Sequence, residues 1–247
     1  MAKLTDFRLL SFDVYGTLIE WERGILTALQ PLLKANNRED DIPKEKLLEV
    51  LEKLERAQQA KTPEMPYCDL LATVHPQVAQ ELGLKAPTKE ESQAFGQSIG
   101  TWPAFPDTVS ALHRLAKYYK LVVLSNVDRH SFSASHAGPL QGFPFDLVLT
   151  AQDIGSYKPD HRNFEYMLEK VESKFGVEKH QVLQTAQSQF HDHKPAKALG
   201  IRSVWIARKN ALMGTTGEEV YDWRFNTLGE MTDAVEEEAK MSEQGNA

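Results

Sequence analysis

The chain has 247 residues, and with 41% hydrophobic and 26% charged residues it can bury a full core in one large or two modest domains. Asp and Glu outnumber Lys and Arg by 35 to 28, and the net charge of −7 argues against a nucleic-acid-binding surface. The single cysteine, Cys68, excludes an internal disulfide framework and is typical of a reducing compartment.

The N-terminal residues contain no apolar stretch of the kind that a signal peptide needs. No later run approaches the roughly 20 apolar residues of a membrane span. We therefore expect a cytoplasmic protein with neither a membrane nor a nucleic acid as partner.

Five short apolar runs, bounded by turn or helical segments, predict β-strands. They span 7–14, 120–126, 145–150, 181–186 and 202–207. Helical patterns lie between these runs, and they span 106–119, 161–175 and 193–199. Strands that alternate with helices predict an α/β fold with a doubly wound, Rossmann-like and mostly parallel sheet covered on both faces. Such sheets carry their functional groups at the carboxyl ends of the strands.

The segment 21–98 differs from the rest because it has helical patterns and no convincing strand. The patterns span 24–34, 44–60, 68–82 and 89–98, with breaks rich in Pro and Asn between them. We predict that residues 21–98 form a helical cap domain inserted into a core domain of residues 1–20 and 99–247. The tail from Met231 onward is rich in Glu, Lys and Ser and predicts a solvated helix that frays.

Polar or charged residues follow four of the predicted strands. They are Asp13, Ser125 with Asn126, Lys158, and Asp192. Each has an ordinary structural explanation, because Asp and Ser often cap turns and helices and a loop lysine is usually solvated. In a doubly wound sheet, however, all four positions converge on one cleft. The set therefore predicts a functional site that no single member would predict.

Four sequence motifs resemble those of a known family. They are Phe12-Asp13-Val14-Tyr15-Gly16-Thr17-Leu18, Leu124-Ser125-Asn126, Tyr157-Lys158-Pro159-Asp160, and Asp192 followed by Ala198-Leu199-Gly200. In order and spacing they resemble the four motifs of the haloacid dehalogenase-like (HAD) hydrolase superfamily, and the long gap after the first motif corresponds to the helical cap of that family. The chain is most similar to the type II 2-haloacid dehalogenases.

Tyr15 distinguishes between branches of this superfamily. Its phosphatases place a second aspartate two residues after the nucleophile, where it protonates a leaving alkoxide, and such general acids contribute roughly 10²–10⁴-fold to the rate. A halide ion leaves without a proton. Tyrosine at this position is therefore compatible with dehalogenation and unfavourable for the hydrolysis of phosphate esters.

The resemblance implies a role for each motif residue. Asp13 would attack the substrate carbon and form an ester, which water then hydrolyses. Lys158 would keep Asp13 ionised, and Asp192 would hold Lys158 in place or activate the water. The implied substrate-binding residues are Tyr15, Thr17, Ser125, Asn126, Gln187, Gln189 and, from the cap, Arg23 and Arg56.

Several positions depart from the dehalogenase pattern. Gln187 and Gln189 stand where a Ser and an Asn are usual, and Phe164 replaces a Tyr. Gln187 also occupies the position where metal-dependent members place an aspartate, and Mg²⁺ prefers carboxylate oxygens. We therefore expect no required cofactor and no metal site, with Mg²⁺ considered only for a phosphatase. His191 and His193 have no third ligand at a suitable spacing for a transition metal.

These observations leave three hypotheses for a protein that acts on, or binds, a small anion. The first is a hydrolase that displaces halide from a small 2-halo carboxylic acid through an aspartyl ester on Asp13. The second is a phosphatase acting on a small phosphate ester, and the third is a non-catalytic binding protein with the HAD fold. The resemblance is also compatible with a homodimer.

Overall fold

In the computed structural model, which describes residues 2–245, a six-stranded sheet with the strand order β3-β2-β1-β4-β5-β6 lies at the centre of the protein. All neighbouring strands are parallel. The strands are β1 (Leu9–Phe12), β2 (Lys120–Ser125), β3 (Leu147–Thr150), β4 (Val182–Ala186), β5 (Arg202–Ile206) and β6 (Trp223–Phe225). This topology confirms the predicted doubly wound, Rossmann-like α/β fold, and the strand order reverses beside β1.

The five predicted strands are all present, and the structure adds β6 at the edge of the sheet. Because β6 has three residues, it is too short to give a recognisable alternation in the sequence. The helices are α1 (Trp21–Ala35), α2 (Lys44–Lys61), α3 (Tyr67–Glu81), α4 (Lys89–Gln97), α5 (Thr108–Leu115), α6 (Arg129–Ala137), α7 (Ala151–Ile154), α8 (His161–Phe175), α9 (Lys194–Ala198) and α10 (Leu228–Gly245). No helix within residues 2–245 is both long and apolar enough to cross a membrane.

Successive side chains of a strand point to opposite faces of the sheet, and in β1 the side chains on both faces are buried. On one face, Leu9 of β1 belongs to a cluster with Phe164 and Met167 of α8. On the other face, Leu10 belongs to a larger cluster that includes Leu112 of α5 and residues of the inserted helices. The carboxyl ends of the strands are thus held rigidly from both sides.

The prediction of a solvated tail is wrong for much of α10. Leu228, Met231 and Val235 are fully buried, and Thr5 near the N-terminus donates two hydrogen bonds to Glu238. The sequence suggested solvation because charged residues dominate the helix, yet one narrow apolar stripe is enough to pack it against α5. The last two residues of the predicted tail, 246 and 247, lie outside the described residues.

The inserted segment contains α1 to α4, as the sequence predicts, while its status as a separate domain stays a prediction. Two hydrogen bonds join it to the core near α3. The Cys68 N–H donates to Asp128 Oδ2 at 3.0 Å, and the Tyr157 hydroxyl donates to the carbonyl of Met65 at 2.5 Å. Near α1, Glu22 Oε1 accepts bonds from two backbone N–H groups of the loop after β5. The inserted helices are therefore anchored beside the carboxyl ends of the strands.

Candidate active site

Asp13 lies directly after β1, where the chain turns at the end of the sheet. Its backbone N–H bonds to the carbonyl of Thr185 on the neighbouring strand β4 at 3.2 Å, so the sheet fixes its position. The turn that follows requires glycine, because Gly16 has a φ of +97°, which residues with a Cβ rarely adopt. The strand and the turn together present the Asp13 carboxylate at the carboxyl end of the central strand.

The ammonium group of Lys158 lies among three oxygen atoms. Its Nζ is 3.0 Å from Asp13 Oδ1, 2.7 Å from Asp192 Oδ1 and 2.9 Å from the carbonyl of Leu124, so all three of its hydrogens have acceptors. The side chain is 1% exposed. Burial by itself would lower the pKa of Lys158, but the two carboxylates outweigh burial and raise it. Lys158 is therefore charged and joins Asp13 to Asp192.

The second oxygen of Asp13 is held by Thr17. The Thr17 hydroxyl donates to Asp13 Oδ2 at 2.7 Å, and Thr17 Oγ1 itself accepts a bond from the backbone N–H of Gln187 at 2.9 Å. Thr17 is fully buried and is not among the cavity-lining residues. Its only hydroxyl hydrogen goes to Asp13, so Thr17 holds the carboxylate, and a direct contact between Thr17 and a substrate stays a prediction.

Asp192 is fully buried, in a π-helical turn (Gln189–His193) that leads into α9. Its Oδ1 accepts bonds from both Lys158 and Gln184 Nε2, the latter at 2.9 Å. Among the described residues, nothing bonds to its Oδ2. Burial raises the pKa of Asp192 to about 7, against the opposing attraction of Lys158. The geometry fits a residue that positions Lys158.

Ser125 and Asn126 end β2 with different surroundings. The Ser125 hydroxyl is buried, lines the cavity and has no hydrogen-bond partner among residues 2–245. The Asn126 side chain makes two hydrogen bonds to the backbone of Lys158. Its Nδ2 donates to the Lys158 carbonyl at 2.9 Å, and its Oδ1 accepts from the Lys158 N–H at 2.7 Å. Ser125 therefore has a free donor for a ligand, whereas Asn126 fixes the loop that carries Lys158.

A cavity of about 260 Å³ lies between the strand ends and the inserted helices. This volume is near the lower limit for small-molecule sites, so the cavity suits a small ligand. Asp13, Ser125 and Lys158 line it from the core, and Trp21 and Glu55 line it from α1 and α2. The proposed nucleophile and the inserted helices thus line the same cavity.

Tyr15, two residues after Asp13, also lines the cavity. Its hydroxyl is 2.9 Å from Ser135 Oγ, and its ring packs edge-on against Trp102 with the ring centroids 5.7 Å apart. Burial raises the pKa of Tyr15 above its ordinary value. No acid with a pKa near neutrality therefore occupies the position that phosphatases of the HAD superfamily use.

The comparisons with known proteins agree with this geometry. A family model described as haloacid dehalogenase-like hydrolase matches residues 7–183. The chain belongs to the haloacid dehalogenase-like hydrolase family. Membership confirms the resemblance to the HAD superfamily that the sequence motifs indicated, and it identifies the protein as a member of a hydrolase family.

Among curated relatives of this HAD-like hydrolase, the (S)-2-haloacid dehalogenase of Pseudomonas sp. (strain YL) is 30% identical over 142 residues, which is 57% of each chain. The (S)-2-haloacid dehalogenase H-109 of Pseudomonas putida is 26% identical over 159 residues, which is 62% of this chain and 66% of that one. The haloacid dehalogenase-like hydrolase domain-containing protein 3 of Bos taurus is 26% identical over 84% of each chain. The match thus spans less than two thirds of either bacterial dehalogenase.

Solved structures support the fold. The L-2-haloacid dehalogenase from Xanthobacter autotrophicus aligns with a TM-score of 0.76 at 19% identity, over 93% of this chain and 98% of that one. The magnesium-bound putative HAD-hydrolase YfnB from Bacillus subtilis aligns with a TM-score of 0.72 at 19% identity, over 91% and 96% of the two chains. At these identities the alignments establish the shared fold and no shared substrate.

The two glutamines of the HAD-like hydrolase bind a nearby loop. Gln187 lines the cavity, but its Nε2 donates to the carbonyl of Met213 at 2.8 Å. Gln189 is not among the cavity-lining residues, and its Oε1 accepts two bonds from Thr216, at 2.7 and 3.0 Å. Gln189 thus fixes the loop after β5, and a contact between Gln189 and a substrate stays a prediction.

The two cap arginines differ in position. Arg56 on α2 packs over the ring of Phe190 at 4.3 Å and pairs with Glu52, and it lines the cavity. Arg23 lies at the cavity rim, paired with Glu20 at 3.3 Å and 66% exposed. Arg56 is thus the better placed of the two to meet an anionic ligand.

The histidines beside Asp192 do not form a metal pair. Burial, together with the charges of Lys158 and Arg56, lowers the pKa of His191 to about 3. His193 lies away from the cavity, with its ring nitrogens bonded to Ser203 Oγ and the Ala186 carbonyl, and burial lowers its pKa to about 4. Among residues 2–245, no group of three or more His, Cys, Asp or Glu is placed to hold a metal ion.

Arg208 and Glu55 are among the cavity residues that were not predicted from the sequence. Arg208, just after β5, donates two bonds to the carbonyl of Thr17, pairs with Asp107 at 2.7 Å and stacks on Phe105. Its place after a strand end is a signal that could have found it. Glu55 is a 7% exposed glutamate among many on α2, and nothing local in the sequence separates it from its solvated neighbours.

Proposed function

We propose that this hydrolase is a 2-haloacid dehalogenase-like enzyme that displaces halide from a small 2-halo carboxylic acid through a covalent ester on Asp13. The observation that carries the proposal is the pairing of Asp13 with Lys158 at 3.0 Å in a cavity where residue 15 is a tyrosine bonded to Ser135. This arrangement places a carboxylate beside an ammonium group with no carboxylic acid at position 15, and halide is a leaving group that needs no proton.

The reaction has two balanced steps. An oxygen of Asp13 forms a bond to carbon 2 of the acid while the carbon–halogen bond breaks and its electron pair leaves on the halide. Water then adds to the carbonyl carbon of the Asp13 ester, the bond to the 2-hydroxy acid breaks, and the Asp13 carboxylate and one proton are released. Lys158 serves both steps by holding Asp13 in position through the bond from its Nζ to Oδ1.

Substrate binding is expected to use the uncommitted donors of the cavity. Ser125 has a free hydroxyl, and Arg56 brings a positive charge from α2. We propose that Arg56, in preference to Arg23, binds the carboxylate or the departing halide of the substrate. The charge of Arg56 lies near enough to lower the pKa of His191 in the same cavity.

The donor set does not fit a resident Mg²⁺. Mg²⁺ requires near-octahedral oxygen coordination. The two oxygens of Asp13 already accept bonds from Lys158 and Thr17, and the amide of Gln187 is turned to Met213. Only Asp192 Oδ2 is left without a partner among these groups. We therefore propose a reaction that proceeds without a metal.

Halide release from 2-chloropropanoate in the presence of a chelator tests this proposal. We expect release by the wild-type protein, loss of at least about 100-fold in Asp13→Asn because the amide is not a nucleophile, and no change in the exposed control Asp40→Asn. Absence of halide release from the chloro, bromo and fluoro acids alike would contradict the proposal.

A phosphatase remains the second candidate, and one observation favours it. Glu55 is an acid in the same cavity, and burial raises its pKa to about 8, so it carries a proton that an alkoxide leaving group could take. Hydrolysis of alkyl and aryl phosphates, with and without Mg²⁺, tests this. If Glu55 were the acid, Glu55→Gln would lose alkyl phosphate hydrolysis and retain aryl phosphate hydrolysis. A ligand that binds and is recovered unchanged would instead indicate the non-catalytic HAD-fold protein.

A further inference from the structure

The inserted helices contribute a buried polar group to the cavity that the proposed reaction does not use. Glu55 of α2 accepts a hydrogen bond on Oε1 from the Tyr67 hydroxyl of α3 at 3.0 Å. The Tyr67 oxygen in turn accepts a bond from Trp21 Nε1 of α1 at 3.4 Å. All three residues line the cavity, and Glu55 and Tyr67 are 7% and 5% exposed. We call Trp21, Tyr67 and Glu55 the roof chain.

The roof chain has a direction. The indole N–H can only donate, and the single hydrogen of Tyr67 is given to Glu55, so both bonds run towards the carboxyl group. The bond from Tyr67 goes to Oε1, which leaves Oε2 for a molecule in the cavity that Glu55 lines. When the carboxyl group carries its proton on Oε2, that hydrogen can be donated to a molecule in the cavity.

The surroundings keep Glu55 protonated at neutral pH. Burial raises its pKa to about 8, and the bond from Tyr67 opposes that shift without cancelling it. Two charged neighbours lie on the same helix: Glu52 raises the pKa further and Arg56 lowers it. From the core, the neutral hydroxyl group of Tyr157 lies close enough to interact with Glu55. The roof therefore presents an uncharged O–H donor to the cavity.

We propose that Glu55 determines specificity by donating a hydrogen bond to an oxygen atom on the substrate side chain, away from the carbon that Asp13 attacks. The substrate class is then a 2-halo acid whose side chain carries an ether, hydroxyl or carbonyl oxygen, and the assignment of the attacked carbon rests on the proposed function. A purely alkyl side chain leaves the buried donor without a partner, which costs roughly tenfold or more in kcat/KM.

Two pairs of isosteric substrates test the proposal. 2-Chloro-3-methoxypropanoate is compared with 2-chloropentanoate, and 2-chloro-4-oxopentanoate with 2-chloro-4-methylpentanoate. The expected result at pH 7 is a preference of about tenfold or more for the oxygen-bearing acid in at least one pair. Equal kcat/KM values in both pairs would overturn the proposal.

Two variants show whether Glu55 is the donor. Glu55→Gln keeps an N–H donor of the same shape and is expected to keep the preference, whereas Glu55→Met has no donor and is expected to lose it. Because the ratio compares two substrates of one variant, partial loss of folded protein cancels. A preference that survives in Glu55→Met would overturn the assignment.

The pH dependence of the same ratio provides a readout that a purely structural role would not move. In the wild type the preference is expected to fall above about pH 8, as Glu55 loses its proton and repels an oxygen acceptor. In Glu55→Gln the preference is expected to stay constant from pH 6 to 10. A pH-independent ratio in the wild type contradicts the proposal even if Glu55→Met fails to fold.

Binding of halogen-free acids separates this inference from the proposed function. Calorimetry with 3-methoxypropanoate and pentanoate measures the preference of the cavity without turnover, and levulinate with 4-methylpentanoate provides the second pair. Absence of halide release together with tighter binding of the oxygen-bearing acid, lost in Glu55→Met, would end the dehalogenase proposal and support the roof donor. Halide release without a preference for the oxygen-bearing acid would support the dehalogenase proposal and overturn the roof donor. Absence of binding of all four acids would also overturn the roof donor.

Discussion

Each oxygen of the Asp13 carboxylate has its own protein donor, and the two donors come from distant parts of the chain. Lys158 holds Oδ1 and the Thr17 hydroxyl holds Oδ2. Thr17 also accepts the backbone N–H of Gln187, so one hydroxyl joins the turn after β1 to the loop after β4. Orientation of the proposed nucleophile thus depends on a residue that is not among those lining the cavity.

Replacing Thr17 by Val is therefore expected to affect both activity and stability. The variant has nearly the same shape, but Asp13 loses a donor and the buried N–H of Gln187 loses its acceptor, which costs about 1–3 kcal/mol of unfolding free energy. Halide release is expected to fall by at least about tenfold, and Thr17→Ser, which keeps the hydroxyl, is expected to stay within about threefold of the wild type. Urea unfolding and steady-state kinetics measure the two effects, and wild-type values for Thr17→Val would contradict this role.

At the residue scale, the sequence predicted which residues meet but not what each one bonds to. Asp13, Lys158 and Asp192 were found because a polar residue after a buried strand is a local signal, and parallel strands bring such residues together. The bonds of Thr17 to residue 187 and of Gln189 to residue 216 could not be predicted, because these partners are distant in the sequence. Glu55 was missed because its burial depends on the packing of α1 and α3 around α2.

Among the elements, the crossing of α3 and α4 depends on a glycine. A Cβ added to Gly96 would lie 2.1 Å from the carbonyl oxygen of Cys68, a contact that requires the backbones to move apart. The Cys68 N–H is bonded to Asp128 of the core, so this crossing lies at one anchor of the inserted helices. The close approach explains why a residue of low helix propensity stands inside α4.

Gly96→Ala is therefore expected to destabilise the protein by about 1–3 kcal/mol. In an ordinary helix the same change stabilises by up to about 1 kcal/mol, so the sign of the effect reports the close approach. Gln93→Ala in the exposed face of the same helix serves as the control and is expected to change stability by less than about 0.5 kcal/mol. Thermal unfolding of the wild type and the two variants measures these effects. A Gly96→Ala variant more stable than the wild type would show that α3 and α4 do not touch here.

Element boundaries followed the strength of the sequence pattern. The helix α8 was predicted to the residue, because Asp160 caps its first turn and Gly176 ends it in the left-handed conformation. The helix predicted at 193–199 is α9 (Lys194–Ala198), and the π-helical turn (Gln189–His193) that positions Asp192 directly precedes it. That turn has no sequence signal of its own, since it arises from the bonds of Ser188 to His191 and of Gln189 to the loop at 214–216.

Across the whole molecule, buried neutral histidines make the fold sensitive to acid. His75 stacks on Phe95 with the ring centroids 4.4 Å apart, and burial lowers its pKa to about 4. The unfolded chain binds a proton near pH 6.5, so between about pH 6.5 and 4 the unfolded state holds more protons than the folded state. The contribution of neutral His75 to the free energy of unfolding is thus fully present above about pH 6.5 and is lost as the pH falls towards 4. Glu55 and Asp192 have raised pKa values and oppose this trend.

Comparison of variants isolates the histidine contribution. His75→Phe keeps the stacked ring and cannot be protonated, so its loss of stability between pH 7 and pH 5 is expected to be smaller than that of the wild type by about 1–2 kcal/mol. The exposed His180→Gln is the control and is expected to follow the wild type. Urea midpoints at the two pH values provide the measurement, and parallel pH dependence of His75→Phe and the wild type would contradict the assignment.

The fold of the whole molecule was predictable because alternating apolar strands and helices admit few other architectures, and family membership rests on motifs spread over most of the chain. The cytoplasmic location and the homodimer stay predictions, since neither follows from the fold of one chain. The substrate is less predictable, because the cavity takes its shape from both the sheet and the inserted helices.

The central claim is that the substrate becomes covalently attached to Asp13, and a single turnover in H₂¹⁸O tests it most directly. With enzyme in excess over 2-chloropropanoate, the ester on Asp13 is hydrolysed by attack of water on its carbonyl carbon. If the ester forms, we expect ¹⁸O in the peptide that contains Asp13, while the 2-hydroxypropanoate of that first turnover remains unlabelled. Labelled 2-hydroxypropanoate together with an unlabelled Asp13 peptide would mean that water attacks the substrate directly, and the covalent account would be wrong.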